Sequence, residues 1–152
     1  MNQKEHFQQA FLYNRTANEA VIAPYLHLDA IPDKANAVIS HLLQAQNIWV
    51  SRIDPEKKAI ADPWAPISVA DWLSVNDSSH DDILGIVSHY TDAYDSDVVY
   101  ANSMGKGFHN SVSEILHHLL YHGSYHRGQL SLLLRQYGQQ PPVTDYIFYL
   151  RE

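Results

Sequence analysis

The sequence predicts an all-α protein, a four-helix bundle with a small β-hairpin before its last helix. Three observations predict this class. Four segments repeat apolar residues at three-to-four spacing, the period of one helical face. One short segment, residues 97–102, is instead β-branched and aromatic, and it runs into a turn holding Gly105 and Gly107. The 152 residues, 45% of them hydrophobic, make one domain, 1–152, long enough to bury a core without covalent staples.

The first helix should run from Gln3 to Tyr25, with Phe7, Ala10, Phe11, Asn14, Ala17, Asn18, Val21 and Tyr25 on one face. A link ending in Ile31-Pro32 follows. The second helix begins near Lys34, presents Val38, His41, Leu42, Ala45, Ile48, Trp49 and Arg52, and is stopped by Asp54-Pro55. Residues 62–75 are irregular and hold Pro63, Pro66, Trp64 and Trp72; a stretch of this length is functional or packed over something. The third helix is expected to start at an N-cap within residues 76–79 and to carry Ile83, Ile86, Val87, Tyr90 and Tyr94. The fourth is the longest, capped by Ser111 or Ser113 and ended after Tyr137 by Gly138 and Pro141-Pro142. The tail, residues 145–150, is too apolar for solvent and should dock on the bundle.

Composition excludes several classes of function. The chain has no Cys, hence no disulfide framework, thiolate zinc site or cysteine nucleophile. Its net charge is −7, with only ten Lys and Arg, so nucleic acid is not an expected partner. No basic stretch precedes an apolar run at the N-terminus, and no segment approaches the ~18 apolar residues of a membrane span. A cytoplasmic protein without a membrane partner is expected. The unusual count is His: ten, as many as Lys and Arg combined.

At about 100° per residue, Ile115, Leu119, His122, His126, Leu130 and Leu133 share the inward sector of the fourth helix. His118 lies at its edge and His117 points away. Side chains four apart have Cβ atoms about 5–6 Å apart, so two imidazoles can meet one ion at bonds of ~2.0–2.1 Å. The same spacing also suits two buried His satisfied by core hydrogen bonds. A third ligand decides between these readings. His41, on the seam of the second helix, is one candidate, because an imidazole among Val, Leu and Ala costs free energy unless something binds it. His80, His89, His109 and His118 are rivals. His80 reads as solvated, His89 as off the best face, and His109 as the strongest substitute. Trp49, Trp64 and Trp72 read as core ahead of pocket lining. Asn14 and Asn18, polar on an apolar face, suit ligand contacts or helix packing equally.

The run Tyr121-His122-Gly123-Ser124-Tyr125-His126-Arg127-Gly128-Gln129-Leu130, followed by Leu133-Leu134-Arg135-Gln136-Tyr137-Gly138, resembles the signature of the DinB/YfiT-like metalloproteins. Residues 13–18, His41-Leu42-Leu43 with Trp49, Tyr100-Ala101-Asn102-Ser103, Pro141-Pro142 and Asp145-Tyr146-Ile147 extend the resemblance over nearly the whole chain. The resemblance implies a four-helix bundle holding a divalent metal, zinc or nickel, through three His, and often assembled as a dimer. By position the ligands are His41, His122 and His126. Related proteins transfer low-molecular-weight thiols such as bacillithiol or mycothiol, or isomerise a thiol adduct. Thr16 departs from the pattern, which often has Trp there, and would reshape the pocket.

Three functions remain in view. The first is a metal-dependent enzyme acting on a small-molecule substrate through an activated thiol or water. The second is a non-catalytic binder of metal or small molecules, and the third a bundle whose His only fill the core. Three His without a carboxylate leave a coordination position open, as in catalytic sites. No Glu or Asp adjoins the ligands in sequence, which favours thiol chemistry over hydrolysis. A chain without Cys would take the thiol from a cosubstrate. A homodimer through the fourth helix is also expected. Leu116, Leu120 and Leu134 fall outside the inward sector, so that helix is apolar nearly all round, and Gly128 would let a second helix approach.

Overall fold

The computed structural model describes residues 1–151; Glu152, the last residue of the expected domain 1–152, lies outside them. Four long helices form the bundle: α1 (Gln3–Leu26), α2 (Asp33–Ile53), α3 (Trp72–Tyr90) and α4 (Val112–Gln136). A hairpin of β1 (Asp97–Ala101) and β2 (Gly107–Ser111) precedes α4, and a single turn, α5 (Tyr146–Tyr149), closes the chain. The hairpin is antiparallel, pairing Asp97 with Ser111 and Tyr100 with Phe108. α1 and α2 each pack against both α3 and α4.

Helix starts follow from local chemistry. At α1 the Asn2 side chain accepts from the Glu5 N–H at 2.9 Å, and Glu5 accepts from the Asn2 N–H at 2.9 Å. Ser111 and Glu114 repeat this reciprocal cap at α4, so Ser111, not Ser113, is the cap. Because Ser111 also ends β2, strand and helix are joined without slack. α4 ends where Gly138 takes φ +72°, a left-handed conformation that glycine adopts without strain.

α3 starts a turn earlier than expected. A 3-10 turn, Val69–Asp71, leads into Trp72, which is fully buried and anchors the first turn. Asn76 and Ser79 are therefore not caps; they lie inside the helix and face the bundle interior. The chain leaves α3 at Thr91, which has φ +43°. Tyr94 thus lies beyond the helix, where it packs on Phe7 and donates its hydroxyl to the Val87 carbonyl at 2.6 Å.

The core is divided along the bundle axis. One apolar cluster joins Phe7, Phe11, Val50, Ile83, Val87, Ile115 and Leu116. The other joins Val21, Ile22, Ile39, Leu43, Trp72, Leu130 and Leu134. Between them each of the four long helices contributes polar residues. Arg127 donates to Asn14 Oδ1 at 2.6 Å and to Asn18 Oδ1 at 2.8 Å. Asn18 donates to Gln46 and Asn76, Gln46 donates to Ser79, and the Asn14 amide lies 3.0 Å from His80 Nε2. Among the described residues no buried side-chain nitrogen or oxygen lacks a partner, as the cost of burying unpaired polar groups requires. Asn14 and Asn18 therefore serve helix packing. His80, expected in solvent, is completely buried in this layer.

Other expectations are also corrected. His117 does not face away: its ring meets Phe7 edge-on at 5.0 Å, and its Nδ1 donates to the Ser113 carbonyl. Leu116 and Leu134 are fully buried within the chain itself. Within the chain a Cβ built on Gly128 would meet nothing within 4 Å, whereas one on Gly123 would stand 2.7 Å from Asn14 Oδ1. The tail docks on α1 as expected, with Tyr146 and Tyr149 packing on Tyr13 and the Tyr13 hydroxyl donating to the Thr144 carbonyl. Among the described residues no helix is long and apolar enough to cross a membrane.

Candidate metal centre

The polar layer of the bundle continues into a cluster of imidazoles between α2 and α4. The i, i+4 spacing on α4 brings His122 Nε2 to 3.1 Å from His126 Nε2. From α2, His41 Nε2 lies 3.1 Å from His122 Nε2. One ring nitrogen from each of the three lies within 4.8 Å of the others. Ligands at ~2.0–2.1 Å from an ion in tetrahedral arrangement stand about 3.3 Å apart. The cluster is already close to that size.

The outer ring nitrogens fix which atoms face the centre. His41 Nδ1 lies 2.9 Å from the Pro63 carbonyl, which can only accept. His126 Nδ1 lies 2.7 Å from Gln129 Oε1. Both Nδ1 atoms therefore carry protons, and both Nε2 atoms carry lone pairs directed at His122. A single N–H on His122 could point at only one of them, whereas a cation between the rings would meet all three lone pairs. The donor set thus fits a metal ion, with the orienting oxygen contacts typical of metal-bound imidazoles. Burial, followed by the charges His126, His41 and His118 would carry, pushes the His122 pKa down to about 3. Burial also lowers His126, against the pull of Gln129 and with that of His41. Both rings are neutral at neutral pH, the form that binds metal.

The irregular segment after α2 is laid along that helix by three bonds. His41 donates to the Pro63 carbonyl, Gln44 to the Ala65 carbonyl, and the Ile67 N–H to Ser40 Oγ. This places Trp64 flat on His41, with ring centroids 3.9 Å apart and planes 7° apart, although Trp64 remains 52% exposed. Trp72 is core, but Trp64 covers the site. Beside the imidazoles opens a cavity of about 300 Å³, lined by His41, Trp49, Arg52, Asn102, His118 and His122 among others. Among the described residues no carboxylate lines it.

The structure brings together His41, His122 and His126 and keeps three of the four rivals, His80, His89 and His109, apart from them. His80 is in the Asn14–Asn76 network, His109 is on the exposed hairpin 3.7 Å from Asp97, and His89 is exposed. His118 borders the cavity, its ring 5.5 Å from that of His122. Sequence reasoning did not find the roles of Gln129, Pro63 and Trp64. Gln129 follows His126 by three residues, a helical neighbour that could have been noticed. The other two come from a loop whose path no periodicity encodes.

Comparison with known proteins agrees with this architecture. Protein DinB of Bacillus subtilis (strain 168) is 50% identical over 40 residues, 26% of this chain and 23% of that protein. The match thus spans less than a quarter of that relative's length. The family model described as DinB family matches residues 32–152, which include α2, the loop over it, α3, the hairpin and α4. All three clustered His lie within the matched residues, and this chain belongs to the DinB family.

Proposed function

We propose that this protein binds a divalent metal, zinc or nickel, through His41, His122 and His126, and uses it to activate a low-molecular-weight thiol for transfer to a small-molecule electrophile. The observation that carries the reading is the convergence of three Nε2 atoms beside an open cavity, with two of the rings held by oxygen acceptors on their far side. A divalent ion there would supply a Lewis-acidic position that deprotonates a thiol or lowers the pKa of water. Pro63 and Gln129 hold the ligand rings in one tautomer, and Trp64 limits solvent access to His41.

The cavity favours thiol over water as the nucleophile. Hydrolysis calls for a base to take a proton from water; among the described residues no Asp or Glu lines this space, and outside the three clustered His only His118 could serve. Its volume, about 300 Å³, matches the small end of ligand pockets. A free-thiol cosubstrate fits a reducing compartment, which supports a cytoplasmic setting. A homodimer remains part of the reading, now across the outer stripe of α4, where Tyr121, Tyr125 and Leu132 are exposed.

The test is to purify the chain without a His tag, measure bound metal, and follow adduct formation between a thiol and an electrophile. Stoichiometric metal with metal-dependent adduct formation is expected. Turnover of an ester without thiol would move the protein to the hydrolases. Metal without any turnover would make it a binding protein, and absence of metal would reduce the cluster to core packing.

A further inference from the structure

Arg52 projects from the last turn of α2 into the cavity beside the imidazole cluster. Its guanidinium carbon lies 4.1 Å over the Trp49 ring and 4.6 Å over the Tyr100 ring, and those two rings meet at 75°. Among the described residues it makes no ion pair and no side-chain hydrogen bond. Two aromatic rings flank the guanidinium and leave its N–H groups without a side-chain partner, an arrangement suited to a planar oxyanion. Partial burial strips water from the group, which an ionic partner would replace.

The surroundings supply no such partner. The cavity is lined by Arg52, His41, His118, His122, Asn102 and Ser103 together with apolar residues and, among the described residues, by no acidic one. Asp54 and Asp62, close by in the chain, accept from the Glu56 and Trp64 N–H groups, and Glu114 lines the neighbouring pocket, which shares Trp49 and His118 but not Arg52. The Glu114 carboxylate is already taken by the Asn110 amide at 3.1 Å and the Ser111 N–H at 2.9 Å. In a chain of net charge −7, a cavity with a free guanidinium and no carboxylate is a local reversal of sign.

We propose that Arg52, held between Trp49 and Tyr100, is the specificity-determining residue of this site, and that the substrate thiol carries a carboxylate which binds the Arg52 fork while its sulfur is directed to the three-His centre. The proposal rests on the metal-site reading above and names the chemical class of its substrate. His118 and Asn102 then border the space between the two anchors.

The test uses ω-mercaptocarboxylates of three to six carbons, each against its primary amide, titrated into the cobalt-loaded full chain. Binding is read from the cobalt absorption bands and from Trp fluorescence. For at least one chain length the carboxylate should bind about 10- to 100-fold tighter than its amide, the range of a charge-assisted hydrogen bond. R52Q should bring that ratio close to one while holding as much cobalt as the unchanged protein, and R52K should give an intermediate ratio. Circular dichroism checks that both variants fold. A ratio near one in the unchanged protein, or the same preference retained in R52Q, would overturn the role of Arg52 and leave the metal centre standing. Failure of the unchanged chain to take up cobalt would sink the metal reading instead. The carboxylate preference would then be measured by fluorescence in the metal-free protein, where its presence and its loss in R52Q still decide for or against Arg52.

Discussion

Asn14 Oδ1 occupies the space a side chain at position 123 would need: a Cβ built on Gly123 would lie 2.7 Å from that oxygen and 2.9 Å from Arg127 Nη1. α1 and α4 approach this closely because Gly123 has no side chain, and the approach lets Asn14 reach both Arg127 and His80. Gly123→Ala should therefore destabilise the fold, even though Ala is the better helix former. Overpacking costs about 1–3 kcal/mol, and displacing Asn14 would strip a partner from a buried guanidinium. Urea unfolding measures the loss; an unchanged midpoint would show that Asn14 can move aside.

His41→Ala, His122→Ala and His126→Ala should each lose stoichiometric metal while helix content stays near that of the unchanged protein, because Ala favours helix more than His. His109→Ala and His89→Ala, both at exposed positions, should keep their metal. His117 is not a suitable control, since it packs on Phe7. Metal analysis of dialysed protein decides; retention of full metal by His41→Ala would remove α2 from the site.

Gln129→Met removes the acceptor that holds His126 in its tautomer while preserving volume. Metal affinity should fall about 10- to 100-fold, the usual effect of losing such an orienting contact. Competition with a chromophoric chelator measures it. Equal affinity would mean that helix geometry alone orients His126.

Burial depresses the His80 pKa to about 4, against 6.5 unperturbed, outweighing its hydrogen bond to the Asn76 carbonyl. Between these values the unfolded chain binds the extra proton, so stability is complete above pH 6.5 and falls as pH drops towards 4. At pH 5 the loss from this group is about 2 kcal/mol. His80→Gln should flatten the dependence of the urea midpoint between pH 7 and pH 5. A slope equal to that of the unchanged protein would assign the acid sensitivity to other groups.

If two copies associate through α4, they meet along Tyr121, Tyr125, Gly128 and Leu132, which follow one another at three- or four-residue steps. The chain should then have a dimer's mass by light scattering at micromolar concentration, and Tyr125→Lys with Leu132→Lys should give a folded monomer. A monomeric mass for the unchanged protein would rule the interface out. Leu134→Lys does not test it, because Leu134 is a core residue and its loss would unfold the chain.

The helices, the hairpin and the inward seam of α4 were legible because each is a local periodicity. His122 and His126 followed from that seam, and His41 from the resemblance to known metalloproteins. His80 was misread for a physical reason. The run Asn76-Asp77-Ser78-Ser79-His80 is polar throughout, and polarity suggests solvent. Three of the five, Asn76, Ser79 and His80, face inward because Asn18, Gln46 and Asn14 wait there to pair with them. Such a layer is a property of four helices together, so no single segment announces it. Leu116 and Leu134 misled in the opposite sense: a sector drawn around one helix was narrower than the surface two neighbouring helices cover.

The belt of polar residues between the two apolar clusters has a consequence for alignment. Leu, Ile and Val tolerate sliding, because one apolar neighbour replaces another at small cost. Arg127 does not. Sliding α4 by one turn, about 5.4 Å, towards Val21 and Ile22 would carry the guanidinium out of reach of both Asn acceptors and into hydrocarbon. The same slip would lift His122 and His126 away from His41 on α2. The belt therefore acts as a notch that sets the height of each helix, and the three imidazoles meet at one level because Arg127, one residue along from His126 and turned towards α1, is locked to that helix.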